Sequence, residues 1–571
     1  MLRILQGGLR LPLVTVLWCE LFSGCAAVSH SVATSETPSA PLQVPVDTPD
    51  AENIALSRQQ KQAPRFTWQD LSPATLQRAK TEGKLLLLDC VATWCHWCHV
   101  MDDTTYTDPV LGDYLAQHAI AMRVDIDARP DIASRYEDWG WPATVVLSPN
   151  GQELGKFRGY LTAPRLLEIL QAARENIGSA ELKPAAVGLS EKPLPPASLS
   201  WVGALLLRTL DNFYDADQGG WGRGQKLPIG ANIEVELLRA QHGDPAAQQR
   251  AQQSLDAQRA LLDPVWGGLY QYSTGGVWTK PHFEKRLPIQ TAAIEAYARA
   301  YHGMHRPADL QDAQRVVAYL HNFLRNADGE FLVSQDADLG GHEKTAHFVD
   351  GHLYYAKSDA ERRAQGMPRI DSHVYAMENG LAIGALSALA VATGSAGDAG
   401  SYLASAEKAA TRMLSRHVAV DGTVKREAVA TSSLRFLVDA AALGRGLAML
   451  QRARPQPNLV PILEQLAGAM LRNFKDDQSV LLWTSTLDPA ASGVFAQRSH
   501  SFAANVQAAR FLLTLAHLQA VTPAQKLKWQ NTARQLLSNL ATPSQLDDQG
   551  RMVGEYILAL EEAGLLTWHP H

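Results

Sequence analysis

The stretch from Lys84 to His99, KLLLLDCVATWCHWCH, constrains this chain more than any other. An apolar run, Leu85 to Leu88, leads into Asp89, and Cys95-His96-Trp97-Cys98-His99 follows. A short buried strand feeding a Cys-x-x-Cys at the start of a helix is a thiol–disulfide device. The unpaired N–H groups of a helix start favour a thiolate, so Cys95 is expected to ionise below the free-thiol value of about 8.5. Cys98, one helical turn on, is shielded and placed to close a disulfide with Cys95.

With its neighbours, this stretch resembles the thioredoxin superfamily. Asp89 lies six residues before Cys95. Asp125-Ile126-Asp127 and then Trp139-Gly140-Trp141-Pro142-Ala143-Thr144-Val145-Val146-Leu147 follow in the family's order. The resemblance implies that Asp89 relays a proton to the second cysteine. It also implies that Pro142 is cis, lies beside the sulfurs and leaves the Trp141 backbone free to pair with a substrate peptide. His96, next to the nucleophile, is expected to stabilise the thiolate and make the pair more oxidising. Trp94 and Trp97 are expected to form an apolar rim. Three other readings of the motif stay open. They are c-type haem attachment with His99 as axial ligand, zinc held by Cys95, Cys98, His96 and His99, and a plain disulfide staple.

At 571 residues the chain exceeds one ordinary core. A formal net charge of −6 and the lack of a basic stripe argue against a nucleic-acid partner. Of the five cysteines, Cys19 and Cys25 fall in an N-terminal leader. Cys90 is expected in the core, on the opposite side of its strand from Asp89. The leader reads as an export signal, with Arg3 and Arg10 ahead of the apolar stretch Leu11 to Cys19. Leu21-Phe22-Ser23-Gly24-Cys25 resembles a bacterial lipoprotein box, with Cys25 the lipidated residue; cleavage near Ala26-Ala27 is the alternative. The expected location is the periplasm, anchored by lipid to the outer membrane, with no other membrane contact.

Five regions are expected: a leader (1–25), a flexible tether (26–64), a thioredoxin-like α/β domain (65–178), a linker (179–198) and an all-α domain (199–571). The last reads as helices of about 12 to 18 residues, in roughly six pairs from Leu199 to Ala563. Three connections echo one another: Asp215 to Trp221, Asp263 to Leu269, and Asp336 to Gly341. Repeated helical hairpins with one kind of loop predict a closed (α/α)6 toroid, with an open solenoid as the alternative.

The two halves together resemble the thioredoxin-domain family named after spermatogenesis-associated proteins. Cys95-His96-Trp97-Cys98-His99-Val100-Met101, Pro281-His282-Phe283-Glu284-Lys285, Ser334-Gln335-Asp336-Ala337-Asp338 and Asn379-Gly380-Leu381 carry the resemblance. Glu378 stands where that family has tryptophan. The resemblance implies a thioredoxin unit followed by a six-hairpin glycosidase-like toroid. Trp221, Trp266, Trp278 and His282, with Trp141 on the thioredoxin side, are expected to contact substrate. Glu284 with Asp336 or Asp338 is the candidate acid–base pair for a sugar. A scaffold role with these aromatics as packing is the competing reading. The expected partner is a protein thiol or disulfide, with a carbohydrate as the alternative. No metal or cofactor is assigned.

Overall fold

The structure is a computed structural model that describes residues 63–136, 140–175, 192–195, 198–341, 348–394, 398–429 and 432–568. The leader, Cys25, the tether up to residue 62, Trp139 and most of the linker lie outside the described residues.

The first domain is a five-stranded sheet flanked by helices. β1 (Gln69–Asp70) precedes α1 (Pro73–Glu82), which starts on the Ser72 cap with proline in its first turn. β2 (Leu85–Val91) leads to α2 (His96–Thr104), and α3 (Pro109–His118) follows on an Asp108 cap. β3 (Ala119–Asp125), α4 (Pro130–Tyr136), β4 (Ala143–Leu147), β5 (Glu153–Arg158) and α5 (Ala163–Glu175) complete the unit. The strand order is β1-β3-β2-β4-β5, with β2 parallel to β3 and antiparallel to β4. β2 is buried on both faces, which is why it reads as a continuous apolar run. Leu86, Leu88 and Cys90 share one core cluster with Cys95 and Cys98, while Leu85 and Leu87 join Tyr106 on the other face.

The second domain has twelve helices of nine or more residues among those described. They are α6 (Leu199–Phe213), α7 (Gly230–Gln241), α8 (Pro245–Gln258), α9 (Leu287–Met304), α10 (Pro307–Phe323) and α11 (Ala376–Thr393), followed by α12 (Ala399–Arg416), α13 (Leu437–Ala453), α14 (Leu459–Asn473), α15 (Phe502–Ala516), α16 (Pro523–Leu540) and α17 (Gly554–Glu562). The odd-numbered helices from α7 to α17 touch in sequence, and α17 touches α7, so the inner ring is closed. Each inner helix carries one outer helix; α6, first in the chain, packs on α17, last in the chain. This is the (α/α)6 toroid, and closure by the first and last helices excludes the open solenoid. Where α11 crosses α13, small residues let the backbones meet: a Cβ on Gly446 would lie 2.0 Å from the Gly380 oxygen. α11 is long and apolar enough to cross a membrane, but it is mostly buried inside this ring.

Two of the echoing loops share one construction. In each, the first aspartate and the carbonyl of the glycine four residues on grip a fully buried lysine. Lys226 Nζ donates to Asp215 at 2.6 Å and to the Gly219 oxygen, and Lys285 Nζ donates to Asp263 at 2.7 Å and to the Gly267 oxygen. Asp263 also takes Arg362 at 2.8 Å. The third loop, at Asp336, faces the thioredoxin domain instead.

Candidate active site at the domain interface

Cys95 and Cys98 form a disulfide at the start of α2. Cys95 is itself the helix cap, its sulfur accepting the Cys98 N–H at 3.2 Å. The free N–H groups of the helix start therefore meet the sulfur on which charge develops when the bond is reduced. The Trp141–Pro142 peptide bond is cis, and Trp141 packs against the cluster that holds both sulfurs. Each cysteine is only 3% exposed.

The toroid meets the same helix through its histidines. His96 Nδ1 meets Asp338 Oδ2 at 2.7 Å, and the His96 N–H donates to Glu284 Oε1 at 3.4 Å. His99 Nδ1 lies 3.7 Å from Asp336 Oδ1 and 3.6 Å from Asp338 Oδ2. Gly341 approaches so closely that a Cβ there would lie 2.7 Å from the His99 ring. Burial acts against a charge on His96, but the Asp338 carboxylate outweighs it and raises the imidazole to about 9. Burial raises the Glu284 carboxyl to about 7 despite His96. Desolvation, with His96 nearby, lowers the half-buried His282 to about 4. It stacks on Tyr272 and lies 6.3 Å from the Trp97 ring. A cavity of about 500 Å³ opens beside His96, His282, Asp338 and Asp350.

A second set of contacts seats the domains. Trp94 Nε1 donates to Asp127 Oδ2 at 2.7 Å, and the Arg286 guanidinium stacks 4.2 Å from the same ring. Arg426 donates to the Asp127 carbonyl, pairs with Asp439 at 2.8 Å and lies 3.5 Å from Glu378. Nothing local in the sequence marks Asp127, Arg286 and Arg426 as partners, since they lie far apart in the chain.

Several expected site residues lie elsewhere than expected. Trp94 is buried between the domains and forms no rim. Trp221, Trp266 and Trp278 line no open funnel. All three are buried, with Trp266 donating to Asp359 at 2.6 Å and Trp278 to the Gln218 carbonyl at 2.9 Å. Glu284, Asp336 and Asp338 face the thioredoxin helix, and of the three Asp338 also borders the cavity. Asp89 is buried but engaged by Arg123 at 2.8 Å, and Arg123 also pairs with Asp102. Cys90 is a buried free thiol on the side of β2 away from Asp89, as strand alternation requires.

Comparison with known proteins adds relatives for each half. A family model of DsbH-type thioredoxin, described as a protein of unknown function, DUF255, matches residues 51–170. Human spermatogenesis-associated protein 20 is 27% identical over 307 residues, covering 48% of this chain and 39% of that protein. The chain spans less than half the length of the first curated relatives it matches. A thioredoxin-like protein of Synechocystis is 34% identical over 91 residues, covering 15% of this chain and 80% of that protein. The cellobiose 2-epimerase of Spirochaeta thermophila superposes with a TM-score of 0.48 at 12% identity, over 64% of this chain and 96% of that one.

Proposed function

Since this chain belongs to the thioredoxin-like family and resembles spermatogenesis-associated protein 20 over about half its length, we propose that it is a thiol–disulfide oxidoreductase whose toroid controls access to the sulfurs. The observation that carries the reading is the capping geometry: Cys95 Sγ accepts a helix N–H beside an imidazole held by Asp338. A structural staple needs neither.

In the oxidised state a substrate thiolate attacks Cys95 Sγ. A mixed disulfide forms and Cys98 leaves as a thiolate. The substrate's second thiolate then displaces Cys95. The substrate leaves as a disulfide, and two electrons and two protons pass to the Cys95–Cys98 pair. With a disulfide substrate the same steps run in reverse, Cys95 attacking and Cys98 resolving. Positive charge on His96 and the helix start stabilise the Cys95 thiolate, which favours the dithiol and makes the pair oxidising. Pro142 and Trp141 border the approach to the sulfurs. The Asp336–Gly341 loop has to part from α2 before a protein thiol reaches them.

The test is a redox titration of the full chain, with Cys98→Ala as a trap for mixed disulfides. A potential above about −200 mV with trapped proteins supports an oxidant, and one near about −270 mV with trapped proteins a reductant. A bond that resists reduction below about −300 mV and traps nothing makes the disulfide structural and ends the proposal.

Export to the periplasm with a lipid on Cys25 belongs to the same proposal and rests on the leader residues alone. Incorporation of labelled palmitate that Cys25→Ser abolishes supports it; a label that survives the substitution rejects it.

A further inference from the structure

We propose that the lumen of the toroid, at its end away from the sulfurs, is a binding site for a small carboxylic acid with an aliphatic body. The thioredoxin domain meets the loops that lead into the inner helices, through Glu284 ahead of α9, Asp338 ahead of α11 and Arg426 ahead of α13. The middle and C-terminal turns of the same three helices, with residues of α7, α15 and α17, enclose a cavity of about 280 Å³. All six inner helices thus contribute to it, and none of its lining residues belongs to the redox site. Its size is near the lower end, about 300 Å³, of pockets that take small molecules.

Every carboxylate in the lining already has a guanidinium. Arg445 donates to both oxygens of Glu295, at 3.4 and 3.2 Å, and Arg299 Nε donates to Glu234 at 2.9 Å. Glu562 takes Arg510 at 2.6 Å. The lining therefore offers a cation no unclaimed acid, and donors are in excess instead. Arg299 uses only its Nε; its two terminal nitrogens, on a side chain 35% exposed, make no hydrogen bond among the described residues. His302, one turn further along α9, and Arg452, in the last turn of α13, line the same cavity. Neither side chain makes a hydrogen bond or ion pair among the described residues. A guanidinium keeps its charge at all working pH values and presents a planar fork of donors that matches a carboxylate.

The apolar part of the lining comes from α11 and α13. Ala388, Val391 and Ala392 line the cavity from α11, and Val391 is 53% exposed although most of that helix is buried. Met449 joins them from α13, one turn before Arg452. An exposed valine and a methionine in one cavity with unpaired guanidinium nitrogens suit a ligand with an apolar body and an anionic head. The body covers Val391 and Met449, and the head accepts from Arg452 and the terminal nitrogens of Arg299. Arg299, Arg445 and Arg452 balance Glu234, Glu295 and Glu562 in the lining, which favours one carboxylate on the ligand over two.

The test titrates the oxidised full chain with hexanoate, hexylamine and inorganic phosphate, followed by calorimetry and by the shift in unfolding temperature. Hexanoate is expected to bind at one site and to raise the unfolding temperature. Hexylamine, which shares the body and differs in the charge of the head, should bind at least about tenfold more weakly. Arg452 is exposed and has no buried partner to strand, so Arg452→Gln keeps the fold and should weaken hexanoate at least about tenfold. Val391→Asn, checked for folding by circular dichroism, should weaken it as well. Failure to bind hexanoate overturns the proposal and leaves His302 and Arg452 as partners of the helix ends alone. Hexylamine binding as tightly as hexanoate overturns it too, as does hexanoate binding that neither substitution weakens. Phosphate binding without hexanoate binding would reject the aliphatic body and make this a plain anion site.

Discussion

His96 and Asp338, 242 residues apart in the chain, meet through Nδ1 and Oδ2 at 2.7 Å. This contact joins the redox helix to a toroid loop, and Asp338 is fully buried. Breaking a buried pair by removing one partner costs about 3–5 kcal/mol, because the other charge is left uncompensated. Asp338→Ala is therefore expected to loosen the loop over the sulfurs. Reduction of Cys95–Cys98 by dithiothreitol, followed in EDTA, should accelerate by at least about tenfold, equivalent to about 1.4 kcal/mol. An unchanged rate would show that the loop does not guard the disulfide.

Cys90 lies one residue beyond Asp89 in a strand buried on both faces. Burial, with the Asp89 carboxylate beside it, pushes its thiol well above the usual range. Reactivity follows the thiolate, so Cys90 should be inert in the folded protein. After mild reduction, peptide mapping should find iodoacetamide on Cys95 ahead of Cys98 and none on Cys90 until denaturant is added. Native-state labelling of Cys90 would contradict its core placement.

Asp263 neutralises two cations that have no contact with solvent, Lys285 at 2.7 Å and Arg362 at 2.8 Å. Asp215 neutralises only Lys226. Asp263→Asn should cost about 3–5 kcal/mol of stability in denaturant unfolding, and more than Asp215→Asn, since two buried charges lose their partner. Equal effects of the two substitutions would mean that Arg362 finds compensation elsewhere.

Much of this architecture was legible because it is local. Apolar periodicity marks all twelve toroid helices to within a few residues, and Ser72-Pro73 marks the start of α1. The helix Pro109–His118 was missed, although Asp108-Pro109 is an N-terminal signal of the same kind. The roles of the toroid tryptophans were misjudged because composition cannot tell an aromatic that lines an opening from one that fills a loop base. Trp278 is the plain case: a Cβ on Gly220 would lie 2.7 Å from its ring, so glycine and indole fit each other. The pairing of His96 with Asp338 has no local signature. Both motifs are visible in the sequence, but only folding reveals that they meet.

Glu378 gives the interface a pH dependence. Burial raises its carboxyl from 4.5 to about 7, with Asp439 and Asp127 adding to the effect and Arg426 opposing it. The unfolded chain loses this proton near 4.5, whereas the folded chain keeps it to about 7. The contribution of Glu378 to stability is thus fully present below 4.5 and lost as the pH rises to about 7. The loss amounts to at most about 3 kcal/mol, at about 1.4 kcal/mol per unit. Glu378→Gln keeps the shape of the neutral acid and cannot ionise. Relative to the unmodified protein, this variant should gain stability in denaturant unfolding between pH 4.5 and pH 8, by up to that amount. A stability difference that stays flat across this range would mean that Arg426 already neutralises Glu378 in the folded chain.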